Sequence, residues 1–238
     1  MSSRKGRNEA ARVVREQLAR ERRRKRTLWT SVAAVAVLVI AGLIGWSIYS
    51  AQRSDDYTAP TGSNDAGTGV VAGSGPVTVD IYEDFLCPAC QQFEQASGAT
   101  IDQLISEGKV KVVYHPVAYL NRFSSTQYST RSSAASGCAA EGGKYREYAK
   151  ALFAKQPPEG GAGLSDDELV NIAAGVGLDR DGFASCLREG TFKPWTEHVT
   201  EEASKAGITG TPTILVNGQQ LADRSPEGLR AAVEAAGK

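Results

Sequence analysis

The chain has 238 residues and carries 27 basic and 27 acidic side chains, so its net charge is zero. This balance gives no sign of a nucleic-acid-binding protein, but it conceals an asymmetry. Residues 1–26 hold eleven Lys or Arg and three Glu, a net charge of +8, and the remainder therefore carries −8. A basic run can bind nucleic acid or anionic lipid. Its position directly before an apolar segment favours a role in membrane topology instead.

The uncharged residues 28–50 predict a transmembrane helix. A helix over Leu28–Tyr49 spans roughly 33 Å, enough to cross a hydrocarbon core of about 30 Å. The alternative is a cleaved signal peptide, whose apolar region is roughly 7–15 residues long and precedes a small-residue cleavage site. Tyr49-Ser50-Ala51 is a poor cleavage site. We therefore expect residues 1–27 to form a basic cytoplasmic segment and the rest of the chain to lie outside the cytoplasm.

Residues 51–76 are rich in Gly, Ser, Thr, Asp and Asn and show no apolar periodicity. They predict a flexible linker. Residues 77–238 are long enough to bury a core and are expected to form one domain. This domain begins with the alternating, β-branched run Val77–Asp84, which predicts a strand.

The rest of the domain is predicted to alternate strands with helices. The elements are a helix from Pro88 to Gly108, a strand over Val110–Pro116, a helical block over about 124–207, a strand over Thr213–Val216, a hairpin turn at Asn217-Gly218, a short strand over Gln219–Leu221 and a helix from Ser225. Within the helical block, Ser165-Asp166-Asp167-Glu168 has the pattern of a capping box.

The most informative motif is Cys87-Pro88-Ala89-Cys90, which follows the first strand and opens the first helix of this domain. A helix N-terminus stabilises a thiolate, and two cysteines at this spacing can exchange a dithiol for a disulfide. Zinc sites use the same spacing but need two more ligands. Cys138 and Cys186 are single and distant, and neither has a histidine three to five residues away. The motif therefore favours redox chemistry.

This order of elements is that of a thioredoxin fold with a helical insertion, an α/β class. The chain resembles the DsbA-like thioredoxin family, bacterial and often membrane-anchored thiol:disulfide oxidoreductases. The resemblance covers roughly residues 77–238 and is specific for the fold and for dithiol chemistry, but not for the direction of electron flow. It rests on Tyr82-Glu83-Asp84-Phe85-Leu86-Cys87-Pro88-Ala89-Cys90, on Gly207-Ile208-Thr209-Gly210-Thr211-Pro212-Thr213 and on Asn217-Gly218.

The resemblance and the chemistry of the motif together predict the catalytic residues. Cys87 is expected to be the exposed nucleophile, and Cys90 the resolving thiol one turn further into the helix. The resemblance implies that Pro212 is cis and faces the cysteine pair, and that the backbone of Thr211 pairs with the substrate as an extra strand. Without the resemblance, Pro212 would be read as an ordinary trans proline at a strand start.

Two positions depart from the family pattern. Many thioredoxin-fold proteins carry a buried acid six residues before the first cysteine, where this chain has Ile81. Asp80, Glu83 and Asp84 flank that position, and we favour Asp84 for proton transfer over a solvated surface role. Strong oxidants of the family have His where this chain has Ala89, so we expect a less oxidising enzyme.

The other two cysteines, Cys138 and Cys186, lie in the helical block. Free thiols tend to oxidise outside the cytoplasm, and an even count supports pairing, so we expect a structural disulfide. Two buried free thiols and a second redox relay are the alternatives. His115 and His198 are expected to be packing or surface residues.

We expect the chain to introduce disulfides into exported proteins with free thiols, without a cofactor or a metal. Reoxidation would come from a membrane, quinone-linked partner of the DsbB or VKOR type, as the resemblance implies. One alternative is a disulfide reductase or isomerase of the same fold. The other is a redox-inactive, membrane-tethered peptide-binding chaperone, for which two intact thiols would be unnecessary.

Overall fold

The computed structural model describes residues 29, 37–47 and 57–238. The chain divides into two units, Met1–Asp55 and Asp56–Lys238. In the first unit, residues 37–47 are helical and their apolar side chains are exposed. Over the described ranges, no helix is both long and apolar enough to cross a membrane. The predicted basic segment 1–27 and most of the predicted helix over 28–50 lie outside the described residues.

A five-stranded sheet with the order β1-β3-β2-β4-β5 forms the centre of the second unit. Its two long central strands are parallel, and every other neighbouring pair is antiparallel. Side chains along the first central strand alternate between buried and half-buried, as its β-branched pattern predicts. The strands are β1 (Val70–Ala72), β2 (Val77–Glu83), β3 (Val110–Pro116), β4 (Thr213–Val216) and β5 (Gln219–Gln220).

Helices cover the sheet, and from β2 onward the elements follow the predicted order. The first helix joins β2 to β3, and the next five form the insertion between β3 and β4, inside the predicted span of about 124–207. The helices are α1 (Pro88–Ser106), α2 (Tyr128–Glu141), α3 (Tyr145–Ala154), α4 (Asp166–Gly175), α5 (Arg180–Glu189), α6 (Lys193–Lys205) and α7 (Pro226–Ala236), with a 3₁₀ turn at Asn121–Phe123.

Two local features hold the insertion in shape. The predicted capping box is present at the start of α4, where Ser165 Oγ accepts from the Glu168 N–H and Glu168 Oε2 accepts from the Ser165 N–H. A disulfide joins Cys138 of α2 to Cys186 of α5, with the two Cα atoms 6.0 Å apart. This separation falls within the range that a disulfide requires.

The prediction of a flexible linker over 51–76 is wrong for the part that the structure describes. Residues 57–72, here called the N-terminal strap, lie on the domain, and the short apolar run in β1 pairs with β3. The indole of Trp195 donates to the Gly67 carbonyl at 2.7 Å, and His115 Nδ1 lies 2.7 Å from the Thr68 carbonyl. Buried rings thus bind the backbone of this polar segment, and the folded unit begins near residue 57. Residues 51–56 lie outside the described residues.

The register of β2 and β4 places the two sequence motifs at one end of the sheet. Tyr82, near the end of β2, pairs with Thr213, the first residue of β4. The turn that follows β2 and the loop that precedes β4 must therefore meet. Beyond β4, Asn217 and Gly218 have φ angles of 46° and 79°, as the predicted hairpin turn requires.

Candidate active site

Cys87 and Cys90 lie at the N-terminus of α1, directly after the turn that follows β2. Cys87 is the N-cap residue in extended conformation, and Pro88 is the first helical residue. The N–H that Pro88 lacks costs no hydrogen bond at this position, because the first N–H groups of a helix have no partner within the helix. Both cysteines are free thiols, with 6% of Cys87 and 2% of Cys90 exposed. The pair is thus nearly enclosed. The prediction that Cys87 is exposed is therefore wrong, because the turn and the loop before β4 cover it, although it is more accessible than Cys90.

The two thiols have opposite electrostatics. The hydrogen bond from Cys90 lowers the pKa of Cys87 to about 6, against a smaller opposing effect of burial. The side chain of Thr211 and the backbone N–H groups of Cys90 and Ala89 lower it further. Burial, reinforced by the neighbouring Cys87 sulfur, raises the pKa of Cys90 well above its usual value. Near neutral pH, Cys87 is therefore the thiolate and Cys90 the thiol, which suits a nucleophile and its resolving partner.

The loop before β4 closes over this pair. The Thr211–Pro212 peptide bond is cis. Cys87 Sγ lies 3.3 Å from the Thr211 carbonyl oxygen and donates to it as a thiol. Pro212 is buried and Thr211 is half-buried. The fold thus brings residues from opposite ends of the domain to one point.

Asp84 lies beside the pair and is fully buried. Its carboxylate accepts three hydrogen bonds, from the Leu86 N–H at 2.9 Å, the Leu120 N–H at 2.9 Å and the Ser129 hydroxyl at 2.7 Å. Burial outweighs these bonds and raises the pKa of Asp84 to about 6. This side chain fastens the catalytic turn to two other parts of the domain, and its charge interacts with that of Cys87.

Glu83 is a second buried acid. It is one of the three flanking carboxylates among which the sequence does not decide the proton-transfer role. It is 4% exposed and accepts a hydrogen bond from the Tyr145 hydroxyl at 3.1 Å. Burial raises the pKa of Glu83 to about 8, and the nearby Glu94 carboxylate adds to the rise. Its position two residues after the buried Ile81 is the signal that could have identified it, because alternate residues of a strand share a face. Asp80 lies on the other face, 3.2 Å from His115 Nε2.

Gln156 is a site neighbour for which the sequence offers no signal. It follows α3 in the insertion, and its Nε2 donates to the carbonyl oxygens of Phe85 and Cys87, each at 3.0 Å. These contacts join residues about seventy positions apart, and no local pattern predicts them.

The pairing of Cys138 with Cys186 bears on the zinc alternative. Because these two cysteines are bonded to each other, neither is available as a further ligand beside Cys87 and Cys90. A structural zinc site with two cysteines at this spacing needs two more ligands. The arrangement at Cys87 instead suits thiol–disulfide exchange, since a thiol with a lowered pKa, a resolving thiol and the Thr211 backbone lie together.

Comparisons with known proteins agree with this geometry. Residues 65–235 match the family described as Thioredoxin. The crystal structure of oxidised DsbA from Mycobacterium tuberculosis is 32% identical, with a TM-score of 0.63, over 71% of this chain and 93% of that one. The reduced form of the disulfide bond oxidoreductase DsbG from the same organism is 30% identical, with a TM-score of 0.62, over 74% of this chain and 85% of that one.

A curated relative shares part of this chain within a longer protein. The serine/threonine-protein kinase PknE of Mycobacterium tuberculosis is 32% identical over 159 residues, which are 61% of this chain. The chain spans 28% of the length of that relative. The likeness is therefore to one part of the kinase.

Proposed function

This chain belongs to the thioredoxin family, among its DsbA-like thiol:disulfide oxidoreductases, and we propose that it introduces disulfides into exported proteins through Cys87 and Cys90. The observation that carries the proposal is the asymmetry of the pair, a lowered pKa at Cys87 beside a raised pKa at Cys90. A stabilised Cys87 thiolate favours the reduced form of the enzyme, and an enzyme whose reduced form is stable is an oxidant.

The proposed reaction starts from the oxidised pair. A substrate thiolate attacks Cys87 Sγ, the Cys87–Cys90 bond breaks, and Cys90 leaves and takes up a proton. A second substrate thiolate then attacks the substrate sulfur of the mixed disulfide, and Cys87 leaves as a thiolate. Two substrate thiols become one disulfide, and the enzyme holds the two electrons. We propose that the Thr211 backbone, beside Cys87, aligns the substrate chain, and that Pro212 holds this edge in place.

The same pKa argument supports a proposal about how strong an oxidant this enzyme is. Without a side-chain donor at Ala89, the lowered pKa of Cys87 comes from Cys90, Thr211 and backbone N–H groups. We therefore propose an oxidase that is milder than relatives with histidine at this position. Its reoxidant would be a membrane, quinone-linked protein of the DsbB or VKOR type, which takes the two electrons from the reduced pair.

The test is a pair of serine variants assayed on a reduced, unfolded ribonuclease. We expect Cys87→Ser to abolish oxidation, because the Cys87–Cys90 disulfide that the substrate thiolate attacks cannot form. Cys90→Ser, given ribonuclease with scrambled disulfides, should accumulate a mixed disulfide at Cys87. The Cys87 thiolate attacks a substrate disulfide and releases the other substrate sulfur as a thiolate, and no Cys90 thiol follows to displace the substrate. Trapping by Cys87→Ser instead would reverse the two roles. A parent enzyme that reduces disulfides in a glutathione buffer but forms none would favour the reductase alternative.

We also propose that residues 28–50 anchor the protein, with residues 1–27 in the cytoplasm and the catalytic domain outside. The charge asymmetry around the apolar segment supports this orientation. The Cys138–Cys186 disulfide supports an oxidising compartment.

Protease treatment of intact spheroplasts tests this topology. It should digest the domain beyond residue 57 and spare a cytoplasmic marker protein. Protection of the domain until the cells are lysed would contradict the proposed orientation.

A further inference from the structure

Gln156 contacts the catalytic turn from outside the thioredoxin core. It lies two residues beyond the end of α3, and its amide nitrogen donates to two carbonyl oxygens of that turn, Phe85 and Cys87, both at 3.0 Å. The side chain is half-buried. One amide group therefore binds the peptide unit before Leu86 and the peptide unit after Cys87.

The Cys87 carbonyl already accepts two backbone bonds. The Cys90 N–H donates to it at 3.0 Å and the Gln91 N–H at 3.2 Å. The Gln156 amide is thus a third donor on the oxygen that lies closest along the chain to the reactive sulfur. A carbonyl oxygen carries partial negative charge, and neutralising that charge favours a nearby thiolate. The bonds also hold Cys87 in its extended N-cap conformation at the start of α1.

The loop that carries Gln156 has anchors of its own. The Gly160 N–H donates to the Phe123 carbonyl at 2.7 Å, and the Ser125 N–H donates to the Gly161 carbonyl at 3.1 Å. Gln91 of α1 donates to the Phe153 carbonyl at 2.6 Å and ties the end of α3 to the same helix. The Gln156 amide is therefore not needed to keep the loop in place, and its two bonds are directed at the catalytic turn.

We propose that Gln156 is a positioning residue that sets the reactivity of the Cys87 thiolate through the Cys87 and Phe85 carbonyls. The inference rests on the proposed role of Cys87 as nucleophile. It concerns the ionisation of the thiol, so it holds whichever way electrons flow in the cell.

The test uses the full chain with Gln156 replaced by Met, Glu or Lys. Iodoacetamide alkylation of the reduced protein is followed as a function of pH. Met has the same length but no donor, so the midpoint for Cys87 should rise by roughly 0.5 pH unit, the size expected for one modest hydrogen bond. Glu should raise it further, because a carboxylate faces the carbonyls, and Lys should return it to the parent value or below.

A second readout is the equilibrium with glutathione at pH 7. The fraction of reduced enzyme should fall in Gln156→Met and Gln156→Glu. A rise of 0.5 pH unit in the Cys87 midpoint corresponds to a change of about two- to threefold in the equilibrium constant. The matched control is Gln91→Ala, which removes the side-chain bond to the Phe153 carbonyl at the end of α3 and keeps the backbone N–H that donates to the Cys87 carbonyl. This control should leave the alkylation midpoint unchanged.

Two results would overturn the inference: parent-like midpoints for both Gln156→Met and Gln156→Glu, or an equal shift in Gln91→Ala. The second result would mean that general loosening of the α3 end, and not the amide of Gln156, alters Cys87. Failure of the parent enzyme to oxidise reduced ribonuclease would instead count against the proposed function, since the alkylation profile needs no substrate.

Discussion

Asp84 and Cys87 lie three residues apart, and the pKa of each is near 6. Groups that interact in this way lose protons in steps that belong to the pair. Asp84 also accepts three hydrogen bonds, and protonation would set a new O–H against donors that already occupy its oxygens. Its first role is therefore to hold the turn, and any proton that it passes comes at the expense of one of these bonds.

Asp84→Asn separates the charge from the hydrogen bonds. In the reduced protein we expect the apparent pKa of Cys87 to fall, because the variant removes a negative neighbour of the thiolate. Alkylation with iodoacetamide as a function of pH measures this. Ser129→Ala, which removes one donor and keeps the charge, is the control. An unchanged Cys87 midpoint in Asp84→Asn would show that the two groups do not interact.

The stability of the oxidised protein gives the same variant a pH dependence. The pKa of Asp84 in the folded protein lies above its ordinary value of 3.8, so the unfolded chain loses this proton at a lower pH than the folded protein does. The free energy of unfolding of the parent therefore falls as the pH rises from about 4 to 6. The asparagine variant lacks that loss. It should be less stable than the parent at pH 4, by about 1–3 kcal/mol for a poorly matched buried amide. The gap should narrow by up to about 3 kcal/mol near pH 7.

At this scale, the sequence predicts residues that lie in short motifs. Cys87 and Cys90 are recognisable because their spacing falls at the start of a helix that follows a strand, whereas Pro212 is recognisable only through the family resemblance. Asp84 was the favoured acid, and the structure places it against the pair. The burial of Glu83 follows from strand alternation, whereas the contacts of Gln156 depend on how the insertion folds back on the turn. Such long-range contacts leave no trace in local spacing.

At the scale of elements, the insertion depends on close packing of small residues. Helix α2 consists mostly of Ser, Ala, Gly and Cys, and a Cβ added to Gly137 would lie 2.8 Å from Phe192. The helix therefore approaches the start of α6 closely and has few large side chains with which to bury apolar surface. The Cys138–Cys186 disulfide compensates by joining α2 to α5.

The double variant Cys138→Ser/Cys186→Ser tests whether this disulfide is structural. The two cysteines are 48 residues apart. Closing a loop of that length stabilises a domain by roughly 4 kcal/mol in the chain-entropy model, and we expect a loss of that order in denaturant unfolding. Oxidation of reduced ribonuclease should persist at a temperature where the variant is folded. Lost turnover with unchanged stability would instead indicate a redox relay.

The helices and long strands were predictable because each has a strong local pattern. The capping box at Ser165 and the alternation in β2 are examples, and both are present. β1 was missed because it has three residues and lies in a polar segment. Its pairing with β3 depends on an open sheet edge, which is a property of the assembled sheet and not of the segment itself.

At the scale of the whole molecule, the N-terminal strap connects the sheet edge, α6 and α2. Tyr57 stacks on His198 of α6, with ring centroids 3.9 Å apart, and Thr61 hydrogen-bonds to Glu141 at the end of α2. Trp195, fully buried in α6, donates its indole N–H to the strap at Gly67. The sequence predicts a domain that begins at residue 77, and the folded domain therefore includes about twenty residues before that position.

Two shortened chains test whether the strap belongs to the folded unit. A chain lacking residues 1–56 keeps the contacts of the strap with β3, α2 and α6 that are named above, and we expect cooperative unfolding in urea. A chain lacking residues 1–76 loses β1 and leaves the buried N–H of Trp195 and a ring nitrogen of His115 without partners. Each such loss costs about 1–3 kcal/mol, so the shorter chain should be less stable by at least about 2 kcal/mol or fail to fold.

Trp195→Phe in the longer of these two chains isolates one of the lost bonds. It removes the indole N–H and leaves the carbonyl of the buried Gly67 without this donor. We therefore expect a loss of about 1–2 kcal/mol, less than that of the truncation. The Cys87 alkylation profile should match that of the parent in the chain lacking residues 1–56 and in its Trp195→Phe variant, because the strap lies against α6 and β3 and not against the catalytic turn. Equal stability of the two shortened chains would show that residues 57–76 are a linker and do not stabilise the folded unit.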